Sequence, residues 1–360
     1  MSSGSAIRAL VVDDSAYNRV TISRMLASDS RIEVVGTANN GEEAIKQVMR
    51  HGPDVITLDL EMPVMDGFSF LRWVMQNRPT AVIAVSSRSS DRSVFKALDL
   101  GAIDFIAKPG GNVSPRLEEI QSDLIAKVLQ VCDLRIDNVR KRVDGRAPFR
   151  RSGPAEDGAP SIDLIAIGCS TGGPPALQHL FQSLPLLPVP IVVAQHMPPH
   201  FTRLFAERID KLSDYEVKEA EDGERLSAGV VYVAPGGMVM EVRAADGGLR
   251  AHVARPDAKE LYAPSVDRLF DSASHCCGDR MIAVIMTGMG DDGADAIRRV
   301  RERGGKTIAE SPDTAIIFGM PGQAIKTGAV EHVLPLNEIA GAIERLCYPR
   351  SNRDERRIES

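Results

Sequence analysis

The stretch IDLIAIGCSTGGPPALQHLF, at 162–181, ends an apolar run in a cluster of small and nucleophilic residues, then resumes a helical pattern. Two chemistries suit such a strand-to-helix turn. One is a phosphate cradle, since backbone N–H groups at a helix N-terminus attract anions. The motif is not GxGxxG, because Ser170 takes the second glycine place, and it lacks the GKS/GKT ending of a P-loop. The other is nucleophilic catalysis: Gly168-Cys169-Ser170-Thr171-Gly172 satisfies G-x-S-x-G. A serine hydroxyl needs a general base, and the base needs an acid to fix its tautomer. His196 follows the apolar run of IVVAQHMPPHF, and Asp291 and Asp292 follow that of VIMTGMGDDGADA. Cys169 is the alternative nucleophile, on the opposite strand face from Ser170 if the strand extends that far. His179, His200, His252 and His332 lack a comparable setting and read as structural or surface residues.

A second constellation lies in the first half. Asp13 and Asp14 follow the run RALVV, Asp59 closes DVITLD, Ser86 and Ser87 close AVIAVSS, and Lys108, before Pro109, closes AIDFIAK. In an open parallel sheet these positions share the carboxyl edge, where ligands bind. Converging carboxylates need a cation, and an oxygen-seeking ion such as Mg²⁺ suits them. With a lysine and a hydroxyl beside that ion, Asp59 becomes a plausible nucleophile for phosphoryl transfer, giving an aspartyl phosphate.

The elements that must position these groups are legible as alternating patterns. Five short β-branched runs alternate with amphipathic segments over the first ~110 residues, which predicts a doubly wound, flavodoxin-like parallel sheet of five strands. A helical pattern follows at 113–133. From 135 to 161 the chain turns rich in Arg, Gly, Pro and Ser, the composition of a linker. From Ile162 the βα pattern returns, with strands in IDLIAIG, VPIVVAQ, GVVYVAP and MIAVIMTG and a hairpin over 238–253 around Asp246-Gly247-Gly248. The expected organisation is a first α/β domain at 1–125, a linker at 126–160 and a second at 161–350. The second domain is expected to be a doubly wound, mainly parallel hydrolase-type sheet with a β-hairpin insertion.

Composition narrows the function classes. A net charge of −6 and 4% aromatic residues argue against nucleic-acid binding. The opening MSSGSAIRALVVDD shows no basic region before an apolar core, and no stretch approaches the ~20 apolar residues of a membrane helix. The five cysteines form no CxxC pair, which suits a reducing cytoplasm. His275-Cys276-Cys277 could suggest a metal site, but adjacent cysteines serve one tetrahedral ion poorly.

The motifs VVDDS, TLDLEMPVMDG, Ser86 and FIAKP resemble the receiver domain of bacterial response regulators. The resemblance implies Mg²⁺ held at Asp13, Asp14 and Asp59, phosphorylation of Asp59 by a histidine kinase, and support from Lys108 and a hydroxyl. Ser86 is favoured over Ser87, and Phe105 matches the aromatic that reorients on activation, with a simple core role as the equal alternative. The motifs IGCSTGGPPAL, AQHMPPHFTRLFAERID, VYVAPGG, PSVDRLF and MTGMGDDGADA resemble the CheB family of chemotaxis receptor methylesterases. This implies Ser170 as nucleophile, His196 as base, Asp292 as orienting acid with Asp291 in the variable place, and oxyanion donors at the Thr171 and Met289 N–H groups. The implied reaction is hydrolysis of γ-glutamyl methyl esters on cytoplasmic helices of methyl-accepting chemoreceptors. Deamidation of receptor glutamines is a secondary activity, and the esterase step needs no cofactor. The unphosphorylated receiver is expected to hinder the esterase. A cytoplasmic monomer is expected, with no nucleic acid and no membrane insertion. The alternative is a phospho-regulated adaptor that binds receptor or kinase without turnover.

Overall fold

The computed structural model describes residues 6–87, 91–108, 120–144 and 159–349. The side chain of Ser87, Pro109, the 113–119 start of the helical pattern expected at 113–133 and most of the linker's later part lie outside the described residues. The chain divides into two compact units, Met1–Ala147 and Pro148–Ser360.

In the first unit, strands β1 (Ile7–Val12), β2 (Ile32–Ala38), β3 (Val55–Leu58), β4 (Ala81–Ser87) and β5 (Asp104–Lys108) form one parallel sheet in the order β2-β1-β3-β4-β5. The expected five-stranded doubly wound sheet is present. The middle strand β3 is buried at every position, as a strand covered on both faces must be. Helices α1 (Ala16–Ala27), α2 (Gly41–His51), α3 (Gly67–Asn77), α4 (Asp91–Asp99) and α5 (Gln121–Leu129) connect and follow the strands. Asn40 and Asp66 cap α2 and α3 by accepting from Glu43 N and Ser69 N. Gly67 is required by close approach: a Cβ there would overlap the carbonyl oxygen of Asp59. Helix α6 (Ile136–Asp144) lies where composition indicated linker. Its Arg and Lys residues hide the periodicity, yet Asn138 and Val139 are buried.

In the second unit, seven strands form one wholly parallel sheet. They are β6 (Leu164–Cys169), β7 (Ile191–Gln195), β8 (Glu216–Glu219), β9 (Val230–Val233), β12 (Met281–Ile285), β13 (Lys306–Glu310) and β14 (His332–Leu334), in the order β14-β13-β12-β6-β7-β9-β8. The expected hairpin is β10 (Val239–Ala245) against β11 (Gly248–Ala254), antiparallel, with Gly247 at φ 87° in its turn. It packs on helix α9 (Val266–Cys277), where Met240, Val242 and Ala251 share a core with Leu269 and Phe270. Helices α7 (Gly173–Ser183), α8 (Phe201–Asp210), α10 (Ala294–Glu302), α11 (Gly319–Lys326) and α12 (Leu336–Cys347) complete the unit. The order reverses direction at β6, whose neighbours are β12 and β7. Such a switch point opens a crevice at the carboxyl ends of the strands. Ser170, His196 and Asp292 follow these three adjacent strands.

Candidate active site

Strand β6 is buried along its length and ends at Cys169, so Ser170 is the first residue free of the ladder. Gly172, at φ 76°, makes the left-handed turn into α7, whose first turn carries Pro174 and Pro175. The turn is held from the β12 side. Ser170 N–H donates to Thr287 O at 3.0 Å, and Thr287 Oγ1 donates to Thr171 O at 3.0 Å. A Cβ on Gly288 would lie 2.8 Å from Ser170 Cβ, so only glycine lets the Gly288-Met289 backbone pass this close to the serine. Thr171 is buried and Met289 half-buried.

From the other side, His196 N–H donates to Cys169 O at 3.0 Å. Its Nε2 meets Asp292 Oδ2 at 2.7 Å. Asp292 is buried and sits on the N-terminus of α9: Val266 N–H donates to Oδ2 at 2.7 Å and Asp267 N–H to Oδ1 at 2.8 Å. The positive end of a helix dipole favours the carboxylate there. Asp291, by contrast, is exposed, and Tyr262 Oη donates to it at 3.4 Å. His196 and Asp292 therefore meet side chain to side chain, next to the turn whose backbone carries Ser170, while Asp291 is exposed.

Sequence reasoning did not single out several supporting residues. Tyr262 stacks on His196. Glu310, wholly buried, accepts from Thr287 N–H at 2.8 Å and from Thr314 Oγ1 at 2.9 Å. Gln195 donates to the backbone on both sides of the crevice. PSVDRLF carried one usable signal: Ser265, which accepts from Arg268 N–H, is an N-cap residue type before an apolar period.

Cys169 is buried, and its thiol donates to Gln195 Oε1 at 3.1 Å. Burial, aided by the Glu310 carboxylate, pushes that thiol well above its ordinary range. A thiol so placed is a poor nucleophile. His275 bonds to Asp271 O and Arg303, Cys276 donates to Val242 O, and Cys277 is buried in the core, so this tripeptide does not converge on a metal. Of the other histidines, His252 pairs with Asp222, while His200 and His332 are exposed.

In the first unit, Asp13, Asp14 and Asp59 offer carboxylate oxygens within 4.8 Å of one another. Lys108 Nζ donates to Asp13 Oδ2 at 2.8 Å and to Asp59 Oδ2 at 2.7 Å. Asp13 also accepts from Ser15 N–H and Asn18 Nδ2. Burial pushes the Asp59 carboxyl upward, which Lys108 opposes and Asp13 reinforces. Burial also opposes the Lys108 ammonium, but Asp59 and Asp13 outweigh it and hold its pKa above the ordinary value. This all-oxygen, excess-negative donor set fits a hard divalent cation. Ser86 is buried at the end of β4, while Phe105 is buried on β5 with its carbonyl accepting from Lys127 Nζ.

A family model described as CheB methylesterase matches residues 165–343, and one described as response regulator receiver domain matches 9–115. The protein-glutamate methylesterase/protein-glutamine glutaminase 3 of Geobacter sulfurreducens is 43% identical, over 95% of this chain and 97% of its own. The protein-glutamate methylesterase/protein-glutamine glutaminase 1 of Myxococcus xanthus is 45% identical, over 97% and 100%. The crystal structure of the Thermotoga maritima CheB methylesterase catalytic domain is 41% identical and covers 51% of this chain and 98% of that one, with a TM-score of 0.50.

Proposed function

This chain belongs to the CheB methylesterase family, and on that footing we propose that Ser170, His196 and Asp292 are the catalytic triad of a phosphorylation-activated protein-glutamate methylesterase. The protein demethylates γ-glutamyl methyl esters on chemoreceptors and deamidates receptor glutamines, in the adaptation arm of a two-component chemosensory pathway. The observation that carries the triad is the 2.7 Å contact between His196 Nε2 and an Asp292 fixed by the start of α9.

Nε2 is committed to Asp292, so Nδ1 of His196 is the atom that takes the Ser170 proton. Ser170 Oγ attacks the ester carbonyl, and the oxyanion forms against the Thr171 and Met289 N–H groups. Loss of one such donor costs about 10²–10³ in rate. His196 returns its proton to the departing methanol. It then activates water, which cleaves the acyl-serine and leaves a receptor glutamate. A glutamine side chain enters the same cycle: its C–N bond breaks, the nitrogen leaves as ammonia with the proton from His196, and water releases the acyl group as glutamate. Asp292 keeps the imidazole in the required tautomer and stabilises its cationic form. A non-catalytic adaptor has no need of a carboxylate buried and aimed in this way.

In the receiver unit, Asp59 accepts a phosphoryl group from the histidine kinase of the pathway. Lys108 and Ser86 contact the transferred oxygens. Asp13, Asp14 and Asp59 would hold Mg²⁺, which would neutralise carboxylate and phosphoryl charge there. The site of action is cytoplasmic, on receptor helices, with the chain working as a monomer. Among the described residues no helix is long and apolar enough to cross a membrane.

The test is methanol release from methylated receptor membranes, with and without a small phosphodonor and Mg²⁺. Release that rises with the donor, stays low in Asp59→Asn and vanishes in Ser170→Ala supports the reading. Undiminished release by Ser170→Ala contradicts it.

A further inference from the structure

The ladder between β6 and β7 ends at the pair Cys169↔Gln195, one residue before the groups that react. Beyond it the two chains separate, Ser170 into the turn before α7 and His196 into a loop. The Gln195 side chain carries the connection one residue further. Its Nε2 donates to Ser170 O at 3.0 Å and to His196 O at 2.9 Å. Both hydrogens of one amide are thus used to join the backbone of the nucleophile to that of the base. Its Oε1 accepts from the Cys169 thiol at 3.1 Å, which marks that end of the amide as the acceptor.

Gln195 is 2% exposed, so it exchanges these bonds with water at a cost that keeps them made. Space for the amide comes from a third residue. A Cβ at Gly173 would overlap Gln195 Oε1 and lie 3.1 Å from Cys169 Cβ. The second glycine of the STGG sequence is therefore a matter of room rather than of backbone conformation, since φ is positive at Gly172 and not at Gly173.

We propose that Gln195 is a positioning residue for the esterase, an amide strap that sets the separation of Ser170 and His196, oriented by Cys169 and admitted by Gly173. It touches neither substrate nor the reacting atoms, and the proposal rests on Ser170 and His196 being nucleophile and base. A buried strap of this kind acts on geometry at the reacting centre. Misplacement by about 1 Å can cost on the order of 10²-fold in rate. Substrate docking does not depend on it, so kcat falls and KM holds.

The test uses the full chain, phosphodonor-activated, with turnover expressed per active site. Sites are counted by the fraction of enzyme labelled by a serine-directed phosphonate. Gln195→Met keeps length and loses both donors; Gln195→Asn keeps an amide one methylene too short to reach both carbonyls. Each is expected to lower kcat per labelled site about 10–100-fold, with KM unchanged. Cys169→Ala is expected to give a smaller loss, and Cys169→Ser, whose hydroxyl donates to the same oxygen, to restore turnover. A merely structural residue would reduce the labelled fraction and leave turnover per labelled site intact. That result in both Gln195 variants overturns the proposal. Ser170→Ala, run alongside, separates the two failures: turnover that survives there removes the triad itself rather than the strap.

Discussion

The imidazole of His196 lies flat against the ring of Tyr262, centroids 4.8 Å apart and planes 9° apart. Asp292 fixes the edge of the imidazole, while Tyr262 fixes its tilt. Stacked pairs contribute about 0.5–1.5 kcal/mol beyond burial, so Tyr262→Ala is expected to lower kcat roughly 3–10-fold. Tyr262→Phe, which keeps the stack and loses the hydroxyl's bonds to Asp291, is expected to stay near the parent. Equal losses in both variants would assign the effect to the hydroxyl instead.

Asp291 and Asp292 are adjacent in sequence but differ in environment. Asp292→Asn places an amide against His196 and against the N–H groups that open α9. It is expected to lower kcat on the order of 10³–10⁴-fold, with a lowered Tm as the start of α9 keeps one acceptor oxygen where it had two. Asp291→Asn is expected to leave kcat close to the parent. Steady-state methanol release distinguishes them, and the reverse ranking would move the acid to Asp291.

Asp267 gives a pH-dependent expectation. Burial pushes its carboxyl up to about 6, against the Ala296 N–H and with the help of the Asp292 charge. Between its ordinary value and about 6 the folded chain holds a proton that the unfolded chain has released. Stability therefore falls as pH rises through that window, and the deficit is complete above it. Asp267→Asn keeps an oxygen for Ala296 N–H and removes the titration. Its unfolding free-energy advantage over the parent, read from denaturant melts, is expected to grow from pH 4 to pH 7.5, reaching about 1–2 kcal/mol after allowance for partial exposure. An advantage that shrinks over that range would contradict this.

The strands that carry chemistry were legible because they are buried on both faces and read as β-branched runs ending in polar residues. Three others were not. Strand β8, EVKE, is polar and at the sheet edge, and β14 spans only His332–Leu334. Strand β13, KTIAE, is almost wholly buried, but it ends in Glu310, whose charge reads as surface until its partners Thr287 and Thr314 are seen. The places of Ser170, His196 and Asp292 after adjacent strands could be read, because local sequence places a residue beyond the end of its own strand. Gln195 and Tyr262 could not. Their roles depend on what faces them across the crevice, and neither residue type announces it.

In the proposed mechanism Ser170 Oγ, not the neighbouring thiol, forms the covalent bond. Peptide mapping by mass spectrometry, after labelling activated enzyme with a serine-directed phosphonate, tests it most directly. The expected result is one adduct on Ser170, absent from Ser170→Ala and slowed in Asp292→Asn, with Cys169 unmodified. An adduct on Cys169, or labelling that survives Ser170→Ala, would contradict it.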